Sequence, residues 1–310
     1  MTQQQQYLRK VVLKVGNDAG DGLDLSQLRI RFQVKNATTQ TLKRAQIRVY
    51  NLTDDTSQKI QNEFTRVELS AGYEGNFGLI FQGQVAQCAR GKENATDTYL
   101  DLFAQDGDMA YNWSTTSWTL AQGYSPDDVY KRLLQDMSLH GITAGYKPTF
   151  TSNASVDALT CYGMTRDQLR NLANAQGCEW SIEDGKLNFI PKTNVLPGSV
   201  PFLTPATGLI GTPTQTISGI TIKSLLNPII RAGGTVQIVN KSLSTVNQRV
   251  AFNAGDQVAG LDKGGYYKAL QVIHEGDTRG NAWYTNMLCT AVDGTQANNR
   301  ELIVQVPDGA

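Results

Sequence analysis

VELSAGY-EGNFG-LIFQGQVAQCAR-GKENATD-TYLDLFAQDGD, residues 67–108, is the stretch whose pattern decides the fold. Val67, Leu69 and Ala71 alternate with Glu68 and Ser70, the period of a half-buried strand. Glu74 to Gly78 holds two glycines and an asparagine, residues that tolerate positive φ and so turn the chain. A second strand is expected over Leu79–Ala86, with Gly83 marking a bulge or a bend. After a polar turn at Gly91–Asp97, Leu100 and Leu102 alternate with Asp101 in a third strand that ends at Asp106-Gly107. Three adjacent strands with one apolar face must close or stack on something, which predicts a small barrel or a sandwich.

A looser echo lies near the C-terminus. Tyr266–His274 (YYKALQVIH), a turn at Glu275–Gly280 and Ala282–Val292 (AWYTNMLCTAV) repeat the strand, turn, strand order. This suggests a second all-β unit, although the two sequences match too weakly to establish a repeat.

A chain of 310 residues has room for two or three domains, each with its own core. Lys+Arg and Asp+Glu both number 28, so bulk charge does not point to nucleic acid or to an anionic membrane, although a local basic patch is compatible with it. Glycine is frequent at 29, and charged residues make up only 18%, which suits a β-rich chain with many turns. Cys88, Cys161, Cys178 and Cys289 form no CxxC motif and read as free thiols in a reducing compartment; a zinc site or disulfide built across distant segments is the alternative. MTQQQQYLRK has no apolar run after a basic start, so no signal peptide is expected. The most apolar segment, Ile217–Val239, is interrupted by Lys223, Asn227-Pro228, Arg231 and Gly233-Gly234, so no membrane insertion is expected and folding in the cytosol is.

Earlier in the chain, Gln3–Gln6 reads as a frayed end. Strands are expected at Leu8–Val15, Leu28–Lys35 and Ala45–Tyr50, with a loop at Gly16–Gly22 (GNDAGDG). That loop lacks the Lys-Ser/Thr of a phosphate loop and the acid spacing of a calcium loop. A short helix from Asp54 to about Gln61, capped by Thr53 or Asp54, has the form of a plug for one end of a barrel. After Asp108 the composition shifts. Ser125, Pro126, Asp127 and Asp128 open a helix whose face is Val129, Leu133 and Met137, ended by Gly141. Thr165 with Gln168 suggests a capping box for a second helix with Leu169, Leu172 and Ala173 on its face. Cys178–Ile190 reads as a hairpin tipped by Asp184-Gly185. Val195–Pro213, rich in proline, is expected to be a linker or extended arm. Beyond it, strands are expected at Ile217–Ile222, Thr235–Val239 and Val246–Phe252, a polar loop at Gly255–Gly265, and an extra strand or arm at Leu302–Val306. The expected architecture is mainly β with an α+β insert: a first β-barrel over 1–112, the insert over 113–200 and a second, related β-barrel with a tail over 201–310.

Signs of catalysis are thin. His140 closes a helix, where a cation suits the C-terminal dipole. His274 stands near Glu275 and Asp277 at a strand end, an arrangement more often solvated or capping than catalytic. GxSxG, HExxH and a GxGxxG that opens a helix are absent. No cofactor, metal or catalytic residue is expected. Tyr73, Phe77, Phe81, Trp283 and Tyr284 could stack on bases or sugars, but aromatics in strands more often fill a core or a subunit contact. Tyr73, Phe77, Trp283 and Tyr284 are the candidates for subunit or tube contacts.

The order of NLTDDTSQKI, VELSAGYEGNFGLIFQGQV and DTYLDLFAQDGD resembles the first barrel of baseplate hub proteins from contractile-tailed bacteriophages. LLNPIIRAGGTVQI and GYYKALQVIHEGDTRGNAWYT resemble the second barrel of those proteins. The resemblance implies a structural virion protein in the tail baseplate, made in the host cytoplasm and trimeric on the tail axis. Two related barrels per chain would give six quasi-equivalent units, so that a three-fold hub can meet a six-fold tail tube or tube-initiator protein. The other face would carry the central spike, other baseplate proteins and the tape measure would be neighbours, and DNA would pass through the lumen. The same resemblance extends to spike proteins of non-phage contractile injection devices. Two readings from other classes are a tail-associated peptidoglycan hydrolase, which predicts a cleft with a carboxylate of raised pKa, and a nucleic-acid-binding barrel with salt-sensitive affinity. In the hub reading, the Gln-rich start, the arm at 195–213 and the tail are expected to be ordered by partner chains that cover strand edges.

Overall fold

The computed structural model describes residues 8–17, 19–38, 42–151, 155–216, 218–239, 244–245, 262 and 264–292. The first β unit contains β1 (Arg9–Gly16), β2 (Gly22–Asp24), β3 (Ile30–Ala37), β4 (Arg44–Tyr50), α1 (Asp54–Glu63), β5 (Arg66–Tyr73), β6 (Asn76–Lys92) and β7 (Thr98–Gln105). All pair antiparallel in the order β3-β4-β7-β6-β5-β1-β2. Alternation sends Ile30, Phe32, Val34, Ile47, Val49, Leu100 and Leu102 to one buried core. Ile60 of α1 and the adjoining Phe64 belong to that core, and Thr53 is the N-cap. Gly83 is not itself a bulge. A Cβ there would lie 2.6 Å from the Gln105 carbonyl, so glycine permits a close approach of β6 to β7. The bulges fall on either side of it, with shifts of register between Leu69/Ser70 and between Val85/Gln87.

The insert follows as α2 (Asp108–Trp113), β8 (Thr115–Leu120), α3 (Pro126–Ser138), β9 (Thr143–Ala144), β10 (Leu159–Met164), α4 (Thr165–Ala175), β11 (Cys178–Glu183) and β12 (Lys186–Pro191). Ser125 caps α3 in a full capping box with Asp128, and Val129, Leu133 and Met137 are buried on its face. The capping box expected at Thr165 does not form. Met164 is the N-cap, and the Thr165 hydroxyl bonds instead to Ser114 and Thr116 in a buried network. Asp184 and Gly185 both take positive φ, +52° and +70°, which matches the twist of a two-residue hairpin.

The second β unit comprises β13 (Phe202–Leu203), a 3-10 turn (Pro205–Thr207), β14 (Leu209–Thr216), β15 (Gly219–Leu225), β16 (Thr235–Ile238), β17 (Ser244–Thr245), β18 (Tyr266–Asp277) and β19 (Trp283–Ala291). The arm expected at 195–213 is woven into this unit: β13 pairs with β16, and β14 with β15. β18 runs through the turn expected at Glu275–Gly280 as far as Asp277, because Arg31–Gln33 of β3 supply its ladder partners there. Val246–Phe252, Leu302–Val306 and Gln3–Gln6 lie outside the described residues, as does most of the loop expected at Gly255–Gly265.

The expectation of two barrels needs correction in one respect: neither barrel closes among the described residues. Residues 271–277 of β18 pair antiparallel with residues 31–37 of β3. That ladder uses the edge of β3 that barrel closure would need. Both β units therefore lie on one 14-stranded sheet whose path runs β17-β14-β15-β19-β18-β3-β4-β7-β6-β5-β1-β2.

Candidate functional site

The seam between the two β units is the feature around which a function can be built. Beside the β18–β3 ladder, Arg29 holds Asp277 through two nitrogens, and Arg9 donates to the carbonyls of Gly280 and Asn281. Burial pushes the Asp277 carboxyl up, but Arg29 and two backbone N–H groups outweigh it, and the pKa ends below the usual carboxylate value. Trp283 inserts into the core of the first unit. It lies edge-on to Phe32 at 5.4 Å, and its Nε1 donates to the Gly72 carbonyl at 3.1 Å. Gly276 permits this insertion, since a Cβ there would lie 2.5 Å from Phe32 and 2.8 Å from Trp283.

A buried polar cluster ties the insert to both units. Lys43, just before β4, donates to Asp184 at 2.8 Å and lies 3.9 Å from Glu183. Asn36 of β3 donates to Glu183 at 3.2 Å, and Arg231 from the second unit reaches Asp184 at 3.4 Å. Asp106 accepts from the backbone N–H groups of Asp184 and Gly185, fastening the hairpin tip to the end of β7. Burial raises the Glu183 carboxyl, and it raises Asp106 to about 6 against the pull of Lys43. His274 is buried and bonds Thr285 through Nδ1. Burial, with the nearby Lys43, lowers it to about 3, so it stays neutral. It lies within β18 and not at its end, which makes it a core residue. Asp106 and His140 share the wall of a groove of about 310 Å³ between the first unit and the insert. Burial accounts for both raised carboxylates; the two turn amides and Lys43 at Asp106, and Lys43 and Asn36 at Glu183, pull the other way, so both acids are engaged within the chain.

On the opposite side from the core, β7, β4, β3 and β18 present a polar face in three rows. In register these are Asp101, Arg48, Arg31 and Asp277; Phe103, Gln46, Gln33 and Glu275; and Gln105, Arg44, Lys35 and Ile273. A groove of about 390 Å³ overlies Arg31, Gln33, Gln46 and Arg48, with Glu275 in its wall. This face crosses the seam and belongs to both β units.

Of the aromatic residues singled out as candidate contacts, Tyr73 and Trp283 are buried in the chain's own core, as is Phe81. Their side chains are packed within the chain, Tyr73 at 5% and Trp283 at 1% exposure. Phe77, at the tip of the β5–β6 hairpin, is 37% exposed with Lys10 over its ring. Tyr284 is half-buried beneath Lys223. The four cysteines are free thiols, and no metal-binding cluster occurs among the described residues. No helix among them is long and apolar enough to cross a membrane. Sequence reasoning missed Lys43, Asp106 and Glu183, because nothing local distinguishes a buried charge from a solvated one. Only the hairpin tip at Asp184-Gly185 was visible.

A family model described as baseplate hub gp41 matches residues 8–251 of this chain. Several solved structures share the fold. A tail protein from Neisseria meningitidis MC58 aligns at 12% identity and a TM-score of 0.59, over 94% of this chain and 98% of that one. The 43 kDa tail protein of prophage MuSo2 from Shewanella oneidensis aligns at 7% identity and a TM-score of 0.58, over 93% and 100%. The E. coli c3393 protein, a component of the type VI secretion system, aligns at 9% identity and a TM-score of 0.54, over 92% and 78%. No curated protein sequence matches the chain.

Proposed function

The chain belongs to the baseplate hub gp41 family of structural tail proteins, and from that premise we propose that it acts as a trimeric hub joining a six-fold tail tube to a three-fold central spike around a DNA-delivery channel. The observation that carries this reading is the β18–β3 ladder, which makes two β units of one chain share a single sheet. Three such chains would present six β units in one ring. The buried Lys43–Glu183–Asp184–Arg231 cluster supports it further, because it fixes the insert against both units, and a joint between tube and spike must be stiff. In this reading the chain has no catalytic role; its partners are its own copies, the tube or tube-initiator protein, the spike, other baseplate proteins and the tape measure. We divide it into a first unit at 1–112, an insert at 113–200 and a second unit at 201–310. Phe77 and Tyr284 are its candidate surface contacts. It is made in the host cytoplasm and ends in the virion tail.

Native mass spectrometry of the purified 33.9 kDa chain, alone and with the candidate spike protein, tests this. A trimer that gains mass on adding the spike supports the hub. A chain that stays monomeric with the spike present, and is not found as a trimer in cryo-electron microscopy of assembled tails, overturns it. The likeness to a type VI secretion component supports a second reading, the same joint in a non-phage injection device. Finding the gene product in particles without DNA would favour it.

A further inference from the structure

The face that β3 and β4 turn away from their core has a charge pattern that folding alone does not favour. Arg31 stands opposite Arg48, Gln33 opposite Gln46, and Lys35 opposite Arg44. Like charges directly opposite each other weaken an antiparallel pair. One of these rows is balanced from its flanks. Arg48 forms a two-point pair with Asp101 at 2.7 and 2.8 Å, and Arg31 has Asp277, itself held by Arg29, as its neighbour on β18. The other row is not balanced. In their own row Lys35 and Arg44 are flanked by Ile273 and Gln105; Glu275, diagonal to Lys35 in the next row, accepts from Asn286, and neither cation forms an ion pair among the described residues. Two cations held side by side, with no acid in their row and no ion pair, cost stability within the chain. An external anion would recover it.

The spacing says what kind of anion. Along each strand the cations recur every four residues, about 13 Å, and across the strands they are about 5 Å apart. Glutamine amides fill the interval. Protein interfaces are built on buried aromatic or aliphatic anchors and are depleted in lysine at their centres. This face has no such anchor at its centre. Spaced cations with amide donors between them suit a repeating phosphate backbone that is held without its bases being read. We propose that the outer face of β3 and β4 is a contact track for the phosphodiester backbone of nucleic acid, with Lys35 and Arg44 as its main phosphate contacts and Arg31 as a third. The inference rests on the hub reading for its setting, a channel through which DNA passes, and on the register alone for its residues.

The test is fluorescence anisotropy of the full chain with a short labelled DNA duplex across a range of salt. Neutralising two or three phosphates predicts a log–log salt slope of about −2 to −3. The double variant Lys35→Gln/Arg44→Gln should flatten that slope by about two, one for each cation removed. Lys131→Gln/Arg132→Gln, on the exposed face of α3, should leave it unchanged. Since removing opposed cations relieves repulsion, the melting temperature of the first variant should hold or rise. If it falls, the charge-preserving swap Lys35→Arg/Arg44→Lys decides, and it must retain duplex binding. Absence of salt-dependent binding overturns the inference, as does equal loss in the α3 variant. A polyglutamate peptide that binds the same residues more tightly than the duplex overturns it in favour of an acidic protein surface. A chain that trimerises on the spike but ignores the duplex refutes this inference alone. One that binds the duplex through Lys35 and Arg44 but never trimerises refutes the hub and leaves the track standing.

Discussion

The indole Nε1 of Trp283 donates to the backbone carbonyl of Gly72 at 3.1 Å, across 211 residues of sequence. Trp283 is 1% exposed and belongs to the core of the first β unit, although it opens β19 of the second. The two units are therefore joined by a shared core as well as by a shared ladder. Trp283→Ala should cost about 3–5 kcal/mol, the range for emptying a large buried site. Trp283→Phe, which keeps most of the volume, should lose little beyond the hydrogen bond, about 1 kcal/mol. Chemical denaturation of both variants checks this. A loss confined to the second unit, with the first melting as before, would contradict the shared core.

Gly276→Ala should destabilise the chain by about 1–3 kcal/mol, the usual cost of overpacking, because its Cβ would press on Phe32 and Trp283. The effect should shrink in a Trp283→Ala background, since the Phe32 ring, the nearest contact of the added methyl, can then turn into the space the indole leaves. A double-mutant cycle measures that coupling.

Lys43 is buried between Glu183 and Asp184, and removing one partner of a buried pair leaves a charge without its counter-ion. Lys43→Met should cost about 3–5 kcal/mol. Adding Glu183→Gln to Lys43→Met should return part of that loss, because a neutral amide can still accept from Asn36. Denaturation midpoints of the three variants decide it. If the double variant is less stable than Lys43→Met, the cluster is not held by charge pairing.

Asp106 and His274 give the junction opposing responses to pH. Asp106 has a folded pKa raised to about 6 by burial, so between about pH 6 and 4 the folded chain binds a proton that the unfolded chain does not, and stability rises as pH falls. His274 is lowered to about 3, so the unfolded chain takes up a proton below about 6.5 while the folded one does not, and stability falls with pH down to about 3. Relative to Asp106→Asn, the wild-type chain should therefore gain up to about 3 kcal/mol between pH 6 and 4. Denaturation curves over that range test it; a constant difference between the two proteins would refute the buried-carboxylate assignment.

Cys88 is half-buried on β6, while Cys161, Cys178 and Cys289 are buried, and burial raises all four thiols. A thiol reagent should label Cys88 first and slowly in the native protein. The other three should react only on unfolding, with Cys289, fully enclosed between β15 and β18, reacting last. Mass spectrometry of the labelled peptides reads the order directly.

Most strands, the caps of α1 and α3 and the helix faces were determined by sequence alone, because they rest on local rules. Val67, Leu69 and Ala71 alternate, Ser125-Pro126 starts a helix, and Asp184-Gly185 turns a hairpin whatever surrounds them. Sequence also determined that two β units flank helices, through the shift of composition after Asp108. Tertiary structure alone decided which edges pair. The β18–β3 ladder joins segments more than two hundred residues apart, and periodicity says which face of a strand is buried but not which strand lies beside it. The same holds for charge. Lys43 and Arg44 are neighbours in sequence, yet one is buried between carboxylates and the other stands exposed opposite Lys35. Strand alternation puts them on opposite faces, and only the assembled sheet determines that one face is a core and the other a surface.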